Sequence, residues 1–363
     1  MSAVSEVLVR QLLATFIDPH TGLDLVKSGA VRGVGVDGAR VSVDVLLPYP
    51  ALGWQATLSA ALKSLLEADP AIESASISVA CRVHAHQVQK DLSPLPKVKN
   101  VLAVASGKGG VGKSTTAINL ALALNAEGAS VGILDADVYG PSLPLLSGTH
   151  GKPDSPDGQN MLPQRNHGLQ IMSIGYMIED DTPVIWRGPM VTQALMQLAT
   201  NTLWEDLDYL IIDFPPGTGD IALTLAQRIP MSAAVIVTTP QDMALIDAKK
   251  ALRMFEKVEV PVLGIVENMS THICTQCGHE EAIFGSGGGE RMAAQYDVPL
   301  LGALPLDMRI RREADAGTPT VVADPDGELA ARYRDIARKV AGRLSLQARN
   351  KTIQFPKIVV QNT

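Results

Sequence analysis

Cysteine is nearly absent. The 363-residue chain holds three, Cys81, Cys274 and Cys277, too few for a disulfide framework and in keeping with a reducing compartment. Long apolar runs are missing too, so no membrane-spanning segment is expected. Met1 to Glu6 show no basic segment leading into an apolar one, which argues against a secretory signal. Nor is there an excess of positive charge. Lys and Arg number 31 against 38 Asp and Glu, for a net charge of −7 and a pI near 5.5. Nucleic acid is therefore not the expected main partner. Hydrophobic residues make up 46% and charged ones 19%, a globular composition. The expectation is a cytoplasmic protein with room for two domains.

What the chain does have is a glycine loop between two regular elements. Val101-Leu102-Ala103-Val104-Ala105 reads as a strand and Thr116 to Leu124 as a helix. Between them lies Ser106-Gly107-Lys108-Gly109-Gly110-Val111-Gly112-Lys113-Ser114-Thr115. From Gly107 to Ser114 the spacing is G-x-x-x-x-G-K-[ST], in the strand-to-helix setting a phosphate-binding loop requires. Glycines permit positive φ and bring bare N–H groups onto phosphate oxygens, and the helix N-terminus adds its positive end. Residues Gly107 through Thr115 are thus the candidate ATP cradle. Lys113 suits the β- and γ-phosphates, and Ser114 suits Mg2+. A second lysine, Lys108, is not required by the plain motif.

Carboxylates recur where apolar strands end. Val131 to Asp135 runs into Asp135-Ala136-Asp137, and Leu207 to Asp213 ends on Asp213. The C-terminal edge of a parallel sheet faces the ligand crevice. Asp135 and Asp137 are therefore candidates to hold magnesium waters or orient an attacking water, and Asp213 to hold Mg2+ through water. Phe214-Pro215-Pro216-Gly217-Thr218-Gly219-Asp220 is stiff at its start and pliant at its end, which suits a loop that senses the γ-phosphate. Strands from Ala233 to Thr238 and Val262 to Glu267 flank a helix from Met243 to Glu256. The alternation predicts an α/β fold, a doubly wound and mostly parallel sheet, over residues 98–345. Asn268, just past a strand, carries an amide that suits an adenine edge or a turn equally. His150 to Asn166, rich in Gly, Pro, Asp and Asn, is expected to be a mobile surface segment. Arg187 precedes a helix expected through Leu198 and is a lone cation of the kind solvent usually takes.

Residues 1–90 read as a separate small α+β domain. A helix from Val4 to Ile17 precedes a hairpin of Val34–Val36 and Val41–Leu47 around Asp37-Gly38. A helix from Thr57 to Ala68 and a strand from Ile77 to Cys81 follow. His84 and His86 fit a solvated strand end better than a metal site, and Cys81 fits the core. Residues 91–97, with Pro94 and Pro96, form an extended linker. The tail, 346–363, reads as loose and polar apart from Phe355 to Val360. Pro356 and scattered cations leave no membrane-binding amphipathic helix.

The second chemical stretch is His272-Ile273-Cys274-Thr275-Gln276-Cys277-Gly278-His279. Two thiolates at this spacing bind one soft metal together. A cubane cluster or a tetrahedral zinc site commonly takes four ligands, and two chains about a two-fold axis would supply four cysteines. Zinc held with His272 or His279, a redox dithiol and free cysteines are the alternatives. Spacing alone does not choose iron over zinc.

The loop with its early lysine resembles the deviant-Walker ATPases, the class of MinD and ParA. With Asp-Ala-Asp-Val-Tyr-Gly-Pro-Ser from Asp135, Asp-Phe-Pro-Pro-Gly-Thr-Gly-Asp from Asp213 and Val-Glu-Asn-Met-Ser before the cysteines, residues 98–342 resemble the Mrp/ApbC iron–sulfur cluster carriers. Asp18-Pro19-His20-Thr21-Gly22-Leu23-Asp24-Leu25-Val26 and Leu47-Pro48-Tyr49-Pro50 resemble the small domain of iron–sulfur assembly factors. The resemblance implies that Lys108 reaches a partner's nucleotide, that Asp137 orients the water and that Asn268 reads adenine. It also implies a homodimer holding a 4Fe–4S cluster on Cys274 and Cys277, slow ATP hydrolysis and delivery to apoproteins among other assembly factors.

Overall fold

The computed structural model describes residues 4–177, 188–274 and 276–350. Arg187 and the stretch from Phe355 to Val360 lie outside the described residues. The small domain runs α1 (Glu6–Leu13), β1 (Val31–Asp37), β2 (Arg40–Leu47), α2 (Gln55–Glu67) and β3 (Ser74–Cys81). Ser5 caps α1, its hydroxyl accepting from Leu8 N at 3.3 Å. The helix stops short of Ile17, which instead bridges to Asp24. β2 pairs antiparallel with β1 and parallel with β3. Val41, Val43, Val45 and Leu47 alternate inward on β2, and Leu58, Leu62 and Leu66 recur every fourth residue on α2; together they fill one core.

The larger unit begins with β4 (Val98–Ser106), α3 (Lys113–Ala126), β5 (Val131–Asp135), α4 (Leu143–Ser147), β6 (Gln164–Asn166) and β7 (Leu169–Ser173). It continues with α5 (Gly188–Asn201), β8 (Leu207–Asp213), α6 (Asp220–Arg228), β9 (Ala233–Thr238), α7 (Asp242–Lys257) and β10 (Val262–Glu267). A short hairpin, β11 (His272–Ile273) and β12 (Glu280–Glu281), precedes α8 (Gly288–Tyr296), β13 (Leu300–Ala303), α9 (Met308–Asp315), α10 (Thr320–Ala323) and α11 (Glu328–Leu344). The eight-stranded sheet has the order β13-β10-β9-β4-β8-β5-β7-β6. All its pairs are parallel except β6 with β7. Every residue of β9 and β5 is buried, as a strand covered by helices on both faces requires.

The segment from His150 is mostly exposed, as a surface segment should be, but it ends in the paired strand β6, and Met161 is tied on both sides, by its N–H to Asn201 O and by Leu203 N–H to its carbonyl, each 2.9 Å. Two expectations are corrected. The described part of the tail is anchored: Gln87 N donates to Ala348 O at 2.9 Å and Asn350 N to Ala85 O at 3.0 Å. His86 is buried rather than solvated, with backbone N and ring Nδ1 at 3.0 and 2.9 Å from Asn100 Oδ1. Cys81 is half-buried, its sulfur accepting from Gln55 Nε2 at 3.4 Å.

Candidate active site

The glycine loop joins β4 to α3 at the centre of the sheet. Gly110 and Gly112 have φ of +82° and +79°, the left-handed region that only glycine enters freely. Gly107 is required for a different reason. A Cβ there would stand 2.0 Å from the Asp247 backbone of α7, so the first glycine of the motif is a packing contact. Gly217 N donates to Ser106 O at 2.9 Å, which ties the proposed sensing loop to the foot of the phosphate loop. Lys108 is half-exposed in the same loop, while Gly109 and Gly110 are open to solvent.

Asp135 and Asp213 are register neighbours on β5 and β8, but their surroundings differ. Asp135 Oδ1 accepts from Asp137 N at 3.0 Å. Its Oδ2 accepts from Ser142 N, Leu143 N and the Ser173 hydroxyl at 3.1, 3.0 and 3.1 Å. Both of its oxygens thus hold the backbone that leads into α4. Asp213 Oδ1 takes the Lys113 ammonium at 2.5 Å, and Asp137 Oδ2 lies 3.6 Å from the same Nζ. Ser114 Oγ is 3.2 Å from it. Among the described residues, Asp213 Oδ2, Asp137 Oδ1 and Ser142 Oγ are buried with no hydrogen-bond partner. Burial pushes the Asp135 carboxyl up to about 7, with the Asp213 charge adding and the backbone N–H groups opposing. Burial also raises Asp137, with Lys113 opposing. The site therefore crowds carboxylates around one lysine. That arrangement can exchange the lysine contact for a magnesium–phosphate group, which brings both the cation for Asp213 and the anion for Lys113.

Asn268 is brought to the same loop: its Nδ2 donates to Val111 O at 2.9 Å. From there the chain runs to the cysteines at the tip of the β11–β12 hairpin. Cys274 N donates to His279 O and Gly278 N to Cys274 O, each at 2.9 Å. The Cys274 thiol is held below its usual range by the backbone N–H of Cys277, then that of Gln276, then the Cys277 thiol. A tight turn that aims amide hydrogens at a sulfur favours the thiolate, the form that binds metal. His272 Nδ1 is 3.0 Å from Leu306 O, so one ring nitrogen is already engaged. Among the described residues no group of three or more His, Cys, Asp or Glu is arranged to hold a metal ion.

Residues 97–341 match the family described as ParA, NUBPL iron-transfer P-loop NTPase. The chain belongs to that family. Residues 6–79 match a second family, described as iron-sulfur cluster assembly protein. The "iron-sulfur cluster carrier protein" of Escherichia coli K12 is 62% identical over 251 residues, 69% of this chain and 68% of that one. The protein of the same name from Haemophilus influenzae is 47% identical over 348 residues, 96% of this chain and 94% of that one. A solved nucleotide-binding protein from Archaeoglobus fulgidus, in complex with ADP, is 36% identical with a TM-score of 0.56. It covers 64% of this chain and 91% of its own. The doubly wound, mostly parallel α/β sheet lies within the stretch that matches the first family, and the small α+β domain holds the stretch that matches the second.

Sequence reasoning missed several residues that shape the site. Ser173, whose hydroxyl holds Asp135, carries no local signature, and Ser142, whose N–H does the same, entered only as the last residue of the resembling stretch from Asp135. Glu267 was read only as a strand end, yet its Oε2 accepts from Gly289 N at the start of α8, the favourable place for a carboxylate. Glu127, one residue past α3, is the most deeply enclosed carboxylate that touches the small domain: Gly53 N donates to it at 2.9 Å.

Proposed function

We infer that this chain carries an iron–sulfur cluster between proteins and uses ATP to govern its grip. One observation supports this most: a chain with a complete phosphate loop presents two thiols in a metal-binding turn and, among its described residues, no third ligand. A second copy would complete a set of four, and a 4Fe–4S cluster takes four cysteine ligands. Apo iron–sulfur proteins would be the recipients and cluster assembly factors the donors. Among the described residues no helix is long and apolar enough to cross a membrane.

Hydrolysis would follow the phosphoryl-transfer scheme. Lys113 would bind the β- and γ-phosphates, and Ser114 and Asp213 would hold Mg2+, directly and through water. Asp137, whose Oδ1 is free of protein partners, would orient the water. The water oxygen bonds to the γ-phosphorus as the bond to the β–γ bridging oxygen breaks, giving ADP and phosphate. Lys108 of a second copy would offset charge on the leaving group. Asp135 serves this scheme by holding the loop, since both its oxygens are engaged by protein donors.

Anaerobic reconstitution with iron and sulfide, followed by metal analysis and size measurement, tests the reading. The expected result is one cluster per two chains, lost in Cys277→Ala with ATP binding kept. Tightly held zinc without iron uptake would favour a nucleotide-gated switch with a zinc staple. A full cluster in Cys277→Ala would remove the site assignment.

A further inference from the structure

We propose that Asn268 and Met269 form the mechanical link through which the phosphate loop sets the position of the cysteine hairpin; this rests on the carrier reading above. Cys274 lies six residues after Asn268, so at most about 20 Å of chain separates them. That short strap is fastened along its length to the segment beyond β13. Leu304 N donates to Glu267 O at 2.8 Å, Ser270 N to Leu304 O at 3.0 Å and Leu306 N to Thr271 O at 2.7 Å. The Ser270 hydroxyl adds a bond to Leu304 O at 3.1 Å, and His272 Nδ1 meets Leu306 O at 3.0 Å. Chain fastened this way moves as a unit rather than bending between anchors.

The strap meets the phosphate loop at Asn268. Asn268 is buried, its backbone N donates to Thr238 O at 2.8 Å, and its side-chain amide donates to Val111 O at 2.9 Å. Val111 is the residue between the two loop glycines that adopt positive φ. The next strap residue, Met269, has φ of +56°, a conformation costly for an unbranched side chain. Its methyl group is 3.9 Å from where a Cβ on Gly112 would stand. Strain held at the point where one element grips another can be released when the grip changes. When Lys113 leaves Asp213 for a nucleotide phosphate, the Val111 carbonyl shifts with the loop and pulls the asparagine amide. The rigid strap carries that displacement to Cys274. Asn268 and Met269 are positioning residues in this account.

The test measures cluster transfer from the reconstituted full-length dimer to an apo-ferredoxin, with saturating ATP, saturating ADP and no nucleotide. Asn268→Asp keeps the shape but cannot donate to Val111. Met269→Gly relaxes the joint and is expected to keep ATP turnover. In both variants the ratio of transfer rates with ATP and with ADP should fall to within about twofold of one, while the cluster spectrum stays that of the wild type. Three results would overturn the link: both variants keep the wild-type ratio, Met269→Gly loses turnover and transfer in step, or the wild type transfers equally under all conditions. The last of these leaves the carrier reading standing. A wild type that takes up no cluster defeats the carrier reading itself, and the link with it.

Discussion

Glu127 and Arg338 form an ion pair sealed inside the protein: Nη1 donates to Oε1 at 2.8 Å, with the glutamate side chain at 0% exposure and the arginine at 13%. Glu127 is the residue after the phosphate-loop helix α3, and Arg338 lies on α11. The other carboxylate oxygen takes Gly53 N from the small domain. The guanidinium also stacks over Trp54 at 5.8 Å and approaches His20 Nε2 at 3.2 Å. The small domain is thus latched to the far end of the helix that begins at Lys113.

Breaking this pair should release the latch. A buried charge that loses its partner costs about 3–5 kcal/mol, so Glu127→Ala should lower stability by that order in urea unfolding. It should also split the transition in two and expose the linker at 91–97 to protease. A single transition at the wild-type midpoint would show that the pair does not join the domains.

The latch should also respond to pH. His20 Nε2 sits between Arg338 Nε at 3.2 Å and Asp335 Oδ1 at 3.5 Å, while Nδ1 is 3.4 Å from Asp18 and 3.1 Å from the Tyr49 hydroxyl. Burial disfavours the imidazolium and Arg338 repels it, but Asp18 and Asp335 outweigh both and raise its pKa above the ordinary 6.5. Burial also opposes ionisation of the partner acids. His20 nonetheless lowers Asp18, and His20 with Lys339 holds Asp335 down to about 2. A raised histidine stabilises fully below 6.5, and that contribution is lost as pH rises through the folded value. Lowered carboxylates stabilise above 3.8, and theirs is lost as pH falls, for Asp335 down through about 2. Urea midpoints should therefore peak between these limits and decline on both sides, with the alkaline decline flattened in His20→Gln. A midpoint rising from neutral to alkaline pH would contradict the assignment.

In the nucleotide site, Lys113→Ala should reduce ATP turnover by at least about 100-fold, the scale of losing one charge-stabilising donor. It should also destabilise the nucleotide-free protein, because Asp213 and Asp137 lose the cation they share. Adding Asp213→Asn should recover stability without recovering turnover. The interaction term of this double-mutant cycle is the measurement. Additive losses would mean the ion pair contributes nothing to the empty site.

The phosphate loop and the strand-end carboxylates were legible because their partners are near in sequence or fixed by a strand–loop–helix template. The separate tasks of Asp135 and Asp213 were not legible. Both end apolar strands of one parallel sheet, yet Ser173, 38 residues from Asp135, draws only one of them into backbone support. The latch was equally hidden, since Glu127 meets Gly53 across 74 residues and Arg338 across 211. His86 was misread because a polar residue near a strand end is ordinarily solvated; here the side chain of Asn100 receives it. Gly107 was chosen for backbone freedom, whereas in the structure its lack of a side chain makes room for α7.

Two glycines in the loop allow backbone strain to be separated from contact with Asn268. Gly110 and Gly112 have nearly the same positive φ, so alanine at either costs about 1–2 kcal/mol from the backbone alone. A Cβ at Gly110 meets nothing within 4 Å, whereas one at Gly112 stands 2.2 Å from Asn268 Nδ2. Gly112→Ala must therefore also displace the asparagine and break its bond to Val111, a further loss of about 1 kcal/mol. Urea unfolding of the nucleotide-free protein should rank Gly112→Ala below Gly110→Ala by that margin. The difference should vanish when both are measured in an Asn268→Ala background, where the obstructing amide is gone. Equal stability of the two in the wild-type background would mean that the asparagine yields without cost, and that its bond to the loop does not constrain it.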